Sequence, residues 1–196
     1  AGKYKSALGQ DETEDCISCV VGKYQNESGQ DESTDCISCV VGTFKNVSGQ
    51  DELADCISCL AGKYKSVLGQ DEVEDCISCV VGKYGKATLT DENHDSVSDC
   101  QICQAGKYVD NISETVCINC VEGSYLFASS TSNEAAHDAS SDCISCLAGK
   151  YKSASGQDEI EDCISCVIGK YGKATLTAIN HDSEGDCQVC HAGKYV

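Results

Sequence analysis

The sequence lacks the residues on which a conventional hydrophobic core depends. It contains no Trp, no Met, no Pro and only two Phe in 196 residues, and 18 of its hydrophobic residues are Cys. A repeated unit with so little apolar surface cannot offset the conformational entropy of its own chain, so it needs covalent or metal crosslinks. We therefore expect sulfur chemistry to hold the fold together.

Basic residues are also scarce. The 14 basic residues, all of them Lys, stand against 32 acidic residues, which gives a formal net charge of −18. Nucleic acids and anionic membrane surfaces attract clustered Lys and Arg, so this balance argues against both as partners. No apolar run approaches the roughly 20 residues that a membrane helix needs, and we expect no membrane contact within this segment.

All 18 cysteines lie in nine Cys-x-x-Cys pairs at a near-fixed interval. The first four pairs begin at Cys16, Cys36, Cys56 and Cys76, each 20 residues after the last. A period of this length indicates a linear array of small units rather than one or two globular domains.

Aligned on the cysteines, each repeat contains Gly-Lys-Tyr, a polar loop with Gly-Gln-Asp-Glu, and Asp-Cys-Ile-Ser-Cys. The first and last segments predict short strands, and Gly-Gln predicts a turn between them. The Gly two residues before the aromatic predicts a positive φ or a close backbone contact. Phe44 once replaces the Tyr, which favours packing of the ring against a disulfide over hydrogen bonding. No stretch has sustained helical periodicity.

A longer repeat is superimposed on the short one. Residues 147–196 repeat residues 60–109 at an offset of 87, with 40 of 50 positions identical. We divide the chain into three regular repeats (1–59), a regular and a lengthened repeat (60–109), an irregular region (110–146) and a second copy of the 60–109 block (147–196). The irregular region contains a Ser- and Ala-rich segment, 128–141, which its composition predicts to be a flexible loop open to O-glycosylation.

The pattern Cys-x-x-Cys-x-x-Gly-x-Tyr, followed by a polar loop and another Cys-x-x-Cys, resembles the ephrin-receptor-like cysteine-rich repeats. These are similar in turn to tumour-necrosis-factor-receptor and epidermal-growth-factor-like cysteine-rich modules. The resemblance covers the whole chain and implies a scaffold typical of surface proteins of protists and microalgae. The family often has Pro after the second Cys, where this chain has Val20, Val40, Leu60 and Val80, so the fixed φ of Pro is missing there.

The resemblance implies that the second Cys of each pair bonds the first Cys of the next pair. The implied disulfides are Cys19–Cys36, Cys39–Cys56, Cys59–Cys76, Cys79–Cys100, Cys103–Cys117, Cys120–Cys143, Cys146–Cys163 and Cys166–Cys187. Each is expected to contribute about 3 kcal/mol by restricting the unfolded chain. The scheme leaves Cys16 and Cys190 to pair outside the chain, which begins and ends in mid-repeat and which we expect to be a segment of a longer polymer.

The spacing of the pairs leaves zinc as a rival to disulfides. Two successive Cys-x-x-Cys pairs could supply the four thiolates of a tetrahedral site. Nine pairs cannot be matched two by two, however, and a zinc array is expected in a reducing compartment. Redox-active Cys-x-x-Cys sites occur once or twice on a catalytic scaffold rather than nine times.

The other polar residues do not indicate an active site. Nearly every candidate is one of several equivalent copies, whereas a catalytic group is normally unique, so we expect no enzymatic activity and no cofactor. The repeated acidic pairs offer oxygen ligands for calcium, but we prefer solvated turn carboxylates: Asp11/Glu12, Asp31/Glu32, Asp51/Glu52, Asp71/Glu72 and Asp158/Glu159. The four histidines lack the spacing of metal ligands, and we expect them on the surface: His94, His137, His181 and His191.

Three Asn-x-Ser sequons begin at Asn26, Asn46 and Asn111, in loops expected to be exposed. Disulfides and N-linked glycans form in the oxidising secretory route, so we predict an extracellular or cell-surface glycoprotein. The predicted fold is small, disulfide-rich β, with tandem repeats of about 20 residues forming an elongated rod.

The leading functional hypothesis is a structural component of an extracellular filament, which associates with itself or with other extracellular structural proteins. One alternative is the stalk or ligand-binding ectodomain of a receptor or adhesin, for which the divergent region 110–146 is the candidate. The other alternative is a zinc-binding array of four-cysteine sites.

Overall fold

A computed structural model describes residues 1–9, 12–87, 94–127, 133–172, 178 and 181–194. In these residues the chain forms eighteen short strands, paired into nine antiparallel two-stranded sheets, and no α-helix. No helix in this part of the chain is long and apolar enough to cross a bilayer. The structure therefore confirms the small disulfide-rich β fold with tandem repeats.

The strands alternate between the Gly-Lys-Tyr and the Cys-Ile-Ser-Cys segments of the repeat, as the sequence predicts. They are β1 Lys3–Tyr4, β2 Ile17–Ser18, β3 Lys23–Tyr24, β4 Ile37–Ser38, β5 Thr43–Phe44, β6 Ile57–Ser58, β7 Lys63–Tyr64, β8 Ile77–Ser78, β9 Lys83–Gly85, β10 Cys100–Ile102, β11 Lys107–Tyr108, β12 Ile118–Asn119, β13 Ser124–Tyr125, β14 Ile144–Ser145, β15 Lys150–Tyr151, β16 Ile164–Ser165, β17 Lys170–Tyr171 and β18 Gln188–Val189.

We use the word module for one hairpin with its loop and its Cys pair, from the Gly before the first strand to the second Cys. The modules are numbered 1 to 9 along the chain and comprise residues 2–19, 22–39, 42–59, 62–79, 82–103, 106–120, 123–146, 149–166 and 169–190.

Most hairpins place the aromatic residue opposite the Ile that follows the first Cys, whereas in module 9 Tyr171 is opposite Gln188. In module 2, Tyr24 is opposite Ile37 and Lys23 is opposite Ser38. The same register recurs in modules 1, 3, 4 and 8. Aromatic and β-branched side chains pair favourably across antiparallel strands. Strands of two residues are nevertheless too short to be stable as isolated hairpins, so the modules depend on crosslinks and on one another.

A 3₁₀ turn precedes the first Cys of nearly every pair, and the sequence did not predict it. The 3₁₀ turns are Thr13–Asp15, Ser33–Asp35, Leu53–Asp55, Val73–Asp75, Val97–Asp99, Glu134–Ala136, Ser140–Asp142, Ile160–Asp162 and Glu184–Asp186. Except in the Glu134–Ala136 turn, the Asp carboxylate at the end accepts a hydrogen bond from the backbone N–H three residues earlier. In module 3, for example, Glu52 N lies 2.9 Å from Asp55 Oδ2. The signal was present as the Asp that precedes the first Cys.

The interior of the protein consists of cystines with a few aromatic and polar side chains. The second Cys of the pair is at most 2% exposed in modules 1 to 7. Phe44 is 6% exposed and clusters with Cys59 and Cys76, which form the disulfide that joins module 3 to module 4. The aromatic side chain therefore packs against a neighbouring disulfide at this position, as the sequence analysis predicted.

The chain divides into two compact units. Unit 1 comprises residues 1–79 and 85–100, and unit 2 comprises residues 80–84 and 101–196. In unit 1, backbone contacts join modules 1 and 2 each to the next module and to the one after it, and in unit 2 modules 6 and 7 do the same. A module of this array can therefore contact more than its nearest neighbours along the chain.

Candidate functional site

The disulfides join successive pairs of cysteines along the chain. Eight bridges are present, namely Cys19–Cys36, Cys39–Cys56, Cys59–Cys76, Cys79–Cys100, Cys103–Cys117, Cys120–Cys143, Cys146–Cys163 and Cys166–Cys187. These are the eight pairs that the family resemblance implies. Because a disulfide sulfur is not a thiolate ligand, the bridges remove the zinc interpretation for sixteen of the cysteines.

The interface between successive modules is the feature that the chain repeats most faithfully, and we treat it as the candidate functional site. In unit 1 the N–H of Gly22 donates to the carbonyl of Lys45 in the next module, with an N···O distance of 2.8 Å. In unit 2 the N–H of Gly106 donates to the carbonyl of Leu126 at 2.9 Å. Gly2, Gly42, Gly82 and Gly123 bond in the same way to the residue that follows the aromatic of the next module.

The same glycine makes the contact with the second module along the chain. Gly22 has a φ of +75°, and a Cβ placed on it would lie 2.1 Å from the carbonyl oxygen of Gly69. The N–H of Gly69 in turn donates to the carbonyl of Cys39 at 2.9 Å. Both explanations for this glycine, a positive φ and a close backbone approach, are therefore correct.

Buried polar side chains satisfy a backbone carbonyl at the module interface. In module 3, Lys45 is 1% exposed and its Nζ donates to the carbonyl of Lys23 at 2.6 Å. Burial lowers the pKa of Lys45 from its ordinary value of 10.5, while the carboxylates of Asp55 and Asp51 act to raise the pKa. An ammonium is buried here because it supplies a donor that this carbonyl otherwise lacks.

Three histidines perform the same task, and our prediction that they lie on the surface is wrong. His94, His137 and His181 are 1%, 0% and 0% exposed, whereas His191 is exposed. Their Nδ1 atoms lie 2.7, 2.8 and 2.8 Å from the carbonyl oxygens of Lys63, Lys107 and Lys150 in the preceding module. A carbonyl only accepts, so Nδ1 carries the proton in each case.

These histidines occur where the residue after the aromatic has no side-chain donor. That residue is Lys45 in module 3, but it is Gly85, Leu126 and Gly172 in the modules of the three histidines. Each of the three histidines lies six residues before the first Cys of its module, a position at which the regular repeats have Gln. Alignment on the cysteines could therefore have identified these residues. Among the described residues, Nε2 of His137 is buried without a hydrogen-bond partner.

In modules 4 and 8 the Asp that caps the 3₁₀ turn also pairs with the Lys that follows the aromatic. In module 4, Asp75 Oδ2 accepts from Glu72 N at 3.1 Å and lies 3.3 Å from Nζ of Lys65, whose side chain is buried. The backbone hydrogen bond from Glu72, followed by the bond and charge of Lys65, lowers the pKa of Asp75. A similar pair joins Lys152 to Asp162 in unit 2.

The carboxylates considered for calcium are dispersed along the outside of the modules. Asp31, Glu32 and Glu52 are exposed, and Asp11 lies outside the described residues. In the part of the chain that the structure describes, no group of three or more His, Cys, Asp or Glu side chains is arranged to hold a metal ion.

The three sequons lie at exposed positions of the modules. Asn26, Asn46 and Asn111 are all exposed, as a glycan acceptor must be. Residues 128–132 of the Ser- and Ala-rich segment lie outside the described residues. In the described part of the segment, 3₁₀ turns occur at Glu134–Ala136 and Ser140–Asp142, and Ser140 and Ser141 are exposed.

Exposed apolar side chains recur at fixed positions of the modules. The Ile after the first Cys is 43% exposed at Ile37 and 51% at Ile77, and the residue after the second Cys is 58% exposed at Leu60. The repeat thus displays apolar surface at regular intervals, on a chain whose acidic excess opposes close association.

Comparison with known proteins does not place the chain in a family. No protein-family description matches the sequence, and no curated protein is significantly similar to it. What the structure itself establishes is a tandem cysteine-rich repeat protein, with eight sequential disulfides and small antiparallel hairpins.

Proposed function

We propose that this chain is a non-catalytic structural protein of the extracellular space, built from ephrin-receptor-like cysteine-rich repeats, which associates with itself into a filament. The observation that supports this most directly is the repetition of one interface. Glycine-to-carbonyl hydrogen bonds of 2.7–2.9 Å join Gly2, Gly22, Gly42, Gly82, Gly106 and Gly123 to the following module. A surface that already stacks on copies of itself within one chain is suited to a structural role.

The disulfides support the proposed extracellular location. Small disulfide-dense modules are typical of secreted proteins and ectodomains, because cytosolic thiols are kept reduced. N-linked glycans at Asn26, Asn46 and Asn111 would add solvated bulk at exposed positions, and we expect calcium and other cofactors to be dispensable.

The exposed Ile and Val side chains give the proposal its second support. An exposed Ile follows the first Cys in modules 1 to 4 and 6 to 8, and an exposed Val or Leu follows the second Cys of most modules, so two copies could match these side chains repeat by repeat. A net charge of −18 opposes this contact, and the repulsion weakens as salt shortens the Debye length from about 10 Å at 0.1 M to about 3 Å at 1 M.

Analytical ultracentrifugation of the oxidised, secreted chain tests this function. We expect the sedimentation coefficient to rise with protein concentration and to rise further between about 0.1 M and 0.5 M NaCl, where surface repulsion is screened. A chain that remains monomeric at all protein and salt concentrations would refute self-association. Electron microscopy of the associated material then distinguishes ordered filaments from amorphous aggregates.

A second candidate function is the ligand-binding ectodomain of a receptor or adhesin. Its support is an apolar depression of about 570 Å³ in unit 2, lined in part by Tyr125, Phe127, Ile144 and Ile160. Phe127 is 60% exposed, and it is not one of the aromatic residues of the repeat. Saturable binding of the monomeric chain to intact cells, lost in Phe127→Ser but retained in a control such as Val47→Ser, would favour this candidate.

A further inference from the structure

Two positions of the repeat determine the chemistry of the depression between successive modules. We call them the loop position, the second residue after the aromatic of one module, and the turn position, the first residue of the 3₁₀ turn in the next module. In modules 1 and 2 they are Ser6 and Ser33, and both line a depression of about 590 Å³. In modules 7 and 8 they are Phe127 and Ile160, and both line the apolar depression of about 570 Å³.

The junction of modules 7 and 8 differs from the others in its loop position. That position is Ser, Asn, Lys or Asp in every other module of the sequence, as at Asn46 and Ser153. Apolar residues do occur at other turn positions, such as Val73, so the pairing of Phe127 with Ile160 is what distinguishes this junction. The other modules stack without an apolar loop residue. Phe127 is therefore not a requirement of the repeat, and a binding role accounts for it.

The apolar side chains of the depression are open to solvent. Phe127, Ile144 and Ile160 are 60%, 50% and 39% exposed. The volume of the depression falls within the range of about 300–1,000 Å³ that is typical of ligand sites. Aromatic side chains that line a concave surface are common anchors of protein interfaces. The depression therefore has the size and the lining of a docking site.

Two carboxylates border this apolar surface and give it a negative charge. Glu159 and Glu161 flank Ile160, line the depression and are exposed. Asp162 of the same turn pairs with Lys152, whose Nζ lies 3.6 Å from Asp162 Oδ1. Among the ion pairs formed by the described residues, none involves Glu159 or Glu161. On a chain with a net charge of −18, these two carboxylates attract a cationic partner and repel an anionic one.

The aromatic rings of the depression favour the same kind of partner. The faces of Tyr125 and Phe127 attract the guanidinium of Arg and the ammonium of Lys. A carboxylate can also accept two parallel hydrogen bonds from one guanidinium. The aliphatic side chains, in contrast, gain free energy only by covering another apolar group. The lining thus selects a partner that combines basic and apolar side chains.

A second copy of this chain does not provide such a partner surface. Its basic and aromatic residues do lie side by side, in the Lys-Tyr-Lys sequences of modules 1, 4 and 8. These sequences belong to hairpin strands and their flanks, where Lys65 is 2% exposed and Lys152 pairs with Asp162. The net charge of −18 opposes the contact further.

We propose that the apolar depression docks a polypeptide segment of a partner protein in which an apolar side chain is flanked by Arg or Lys. The apolar side chain packs against Phe127, Ile144 and Ile160, and the basic side chains pair with Glu159 and Glu161. The inference rests on the second candidate function and specifies the chemistry of its partner. It is independent of self-association.

Synthetic peptides and the complete oxidised chain test this recognition. The probe is the fluorescent peptide Gly-Arg-Leu-Phe-Leu-Arg-Gly, and its binding is measured by fluorescence anisotropy. One control peptide replaces both Arg by Glu, and the other replaces Leu-Phe-Leu by Ser-Ser-Ser. We expect saturable binding of the Arg peptide, with each control peptide about 10-fold or more weaker, because each lacks one half of the recognition.

Matched variants in two modules test the location. Ile144 and Ile57 occupy the same position of the repeat and are both 50% exposed, but only Ile144 lines this depression. Ile144→Ser should weaken binding of the Arg peptide about 10-fold or more, whereas Ile57→Ser should leave it unchanged. Phe127→Ser should have the same effect as Ile144→Ser. The repeat tolerates Ser at the loop position, as Ser66 shows in module 4.

A charge reversal tests the electrostatic part of the recognition. Glu161 and Glu74 are both exposed and are the second residues of equivalent 3₁₀ turns. Glu161→Lys should weaken binding of the Arg peptide about 10-fold and strengthen binding of the Glu peptide, because one contact changes sign. Glu74→Lys changes the net charge of the chain equally and should leave the preference between the two peptides unchanged.

The outcomes separate this inference from the function on which it rests. The absence of saturable binding, equal affinities for the Arg and Glu peptides, or equal losses in Ile144→Ser and Ile57→Ser would each overturn the inference. If Phe127→Ser still abolishes attachment to intact cells in those cases, the receptor candidate stands and its partner has another chemistry. A chain that binds neither the peptides nor cells overturns both.

Discussion

Replacement of one glycine by alanine provides the most direct test of the second-neighbour contact. Gly22 and Gly29 both lie in module 2 and have similar positive φ values of +75° and +80°. An Ala at either position carries the cost of the left-handed backbone, about 1–2 kcal/mol, part of which is returned because Ala restricts the unfolded chain. The two variants differ only in what the added methyl group meets.

At Gly29 the methyl group meets nothing within 4 Å, so we expect Gly29→Ala to lower the free energy of unfolding by about 1 kcal/mol. At Gly22 the methyl would lie 2.1 Å from the carbonyl oxygen of Gly69, and the backbone must move by about 1 Å to relieve the overlap. Overpacking of this kind costs about 1–3 kcal/mol, and the Gly69-to-Cys39 hydrogen bond is weakened as well, at about 1 kcal/mol. We therefore expect a loss of about 3–5 kcal/mol in Gly22→Ala.

Native-state hydrogen exchange with the disulfides intact is the appropriate assay, because a repeat array can open locally without unfolding as a whole. Exchange at the Gly69 amide should accelerate strongly in Gly22→Ala and little in Gly29→Ala. Guanidinium unfolding of both variants gives the accompanying change in global stability. Equal losses in the two variants would refute the reasoning, since backbone conformation alone would then explain both.

Three further predictions concern the crosslinks and polar contacts. Replacing both Cys59 and Cys76 by Ser removes a disulfide that links residues 17 positions apart, and we expect calorimetry to show that the free energy of unfolding falls by about 3 kcal/mol. The fold lowers the pKa of Asp75, so its carboxylate stabilises the folded state above pH 3.8, and this contribution is lost as the pH falls through the lowered pKa. We therefore expect the free energy of unfolding to fall less steeply with decreasing pH in Asp75→Asn than in the unmodified chain. We expect His137→Ala to lower the free energy of unfolding, measured by chemical denaturation, by about 2–3 kcal/mol, because the carbonyl of Lys107 loses the donor that lies 2.8 Å away. The double substitution Leu126→Lys with His137→Gln should restore most of this loss, since it supplies a Lys donor as in module 3.

Much of the fold could be predicted because local chemistry determines it. Gly22 requires a positive φ, the Tyr24 and Ile37 segments are short and apolar enough for strands, and the cysteines impose the period. The disulfide order came from resemblance to a family rather than from the residues. The 3₁₀ turns were missed because a single turn has no periodicity, and their signal is one Asp at a fixed distance from Cys.

The buried histidines were missed for a different reason. A lone His followed by Asp, as at His94 and His137, is usually a surface residue, and composition alone supports that view. The histidines become recognisable only when two positions of the repeat are compared. Where the residue after the aromatic has no side-chain donor, a His stands six residues before the first Cys. The second-neighbour contact of Gly22 was also missed, because it depends on how loops of successive modules stack in space.

The reach of each module across two others has a consequence for biosynthesis. As the chain leaves the ribosome, Cys19 can meet Cys36 only after the second pair of cysteines has been made. The surroundings of Gly2 are completed only when Gly49 has also emerged. The native surroundings of a module can therefore be completed only after the next two modules have been synthesised, and until then a disulfide that has already closed lacks its final packing.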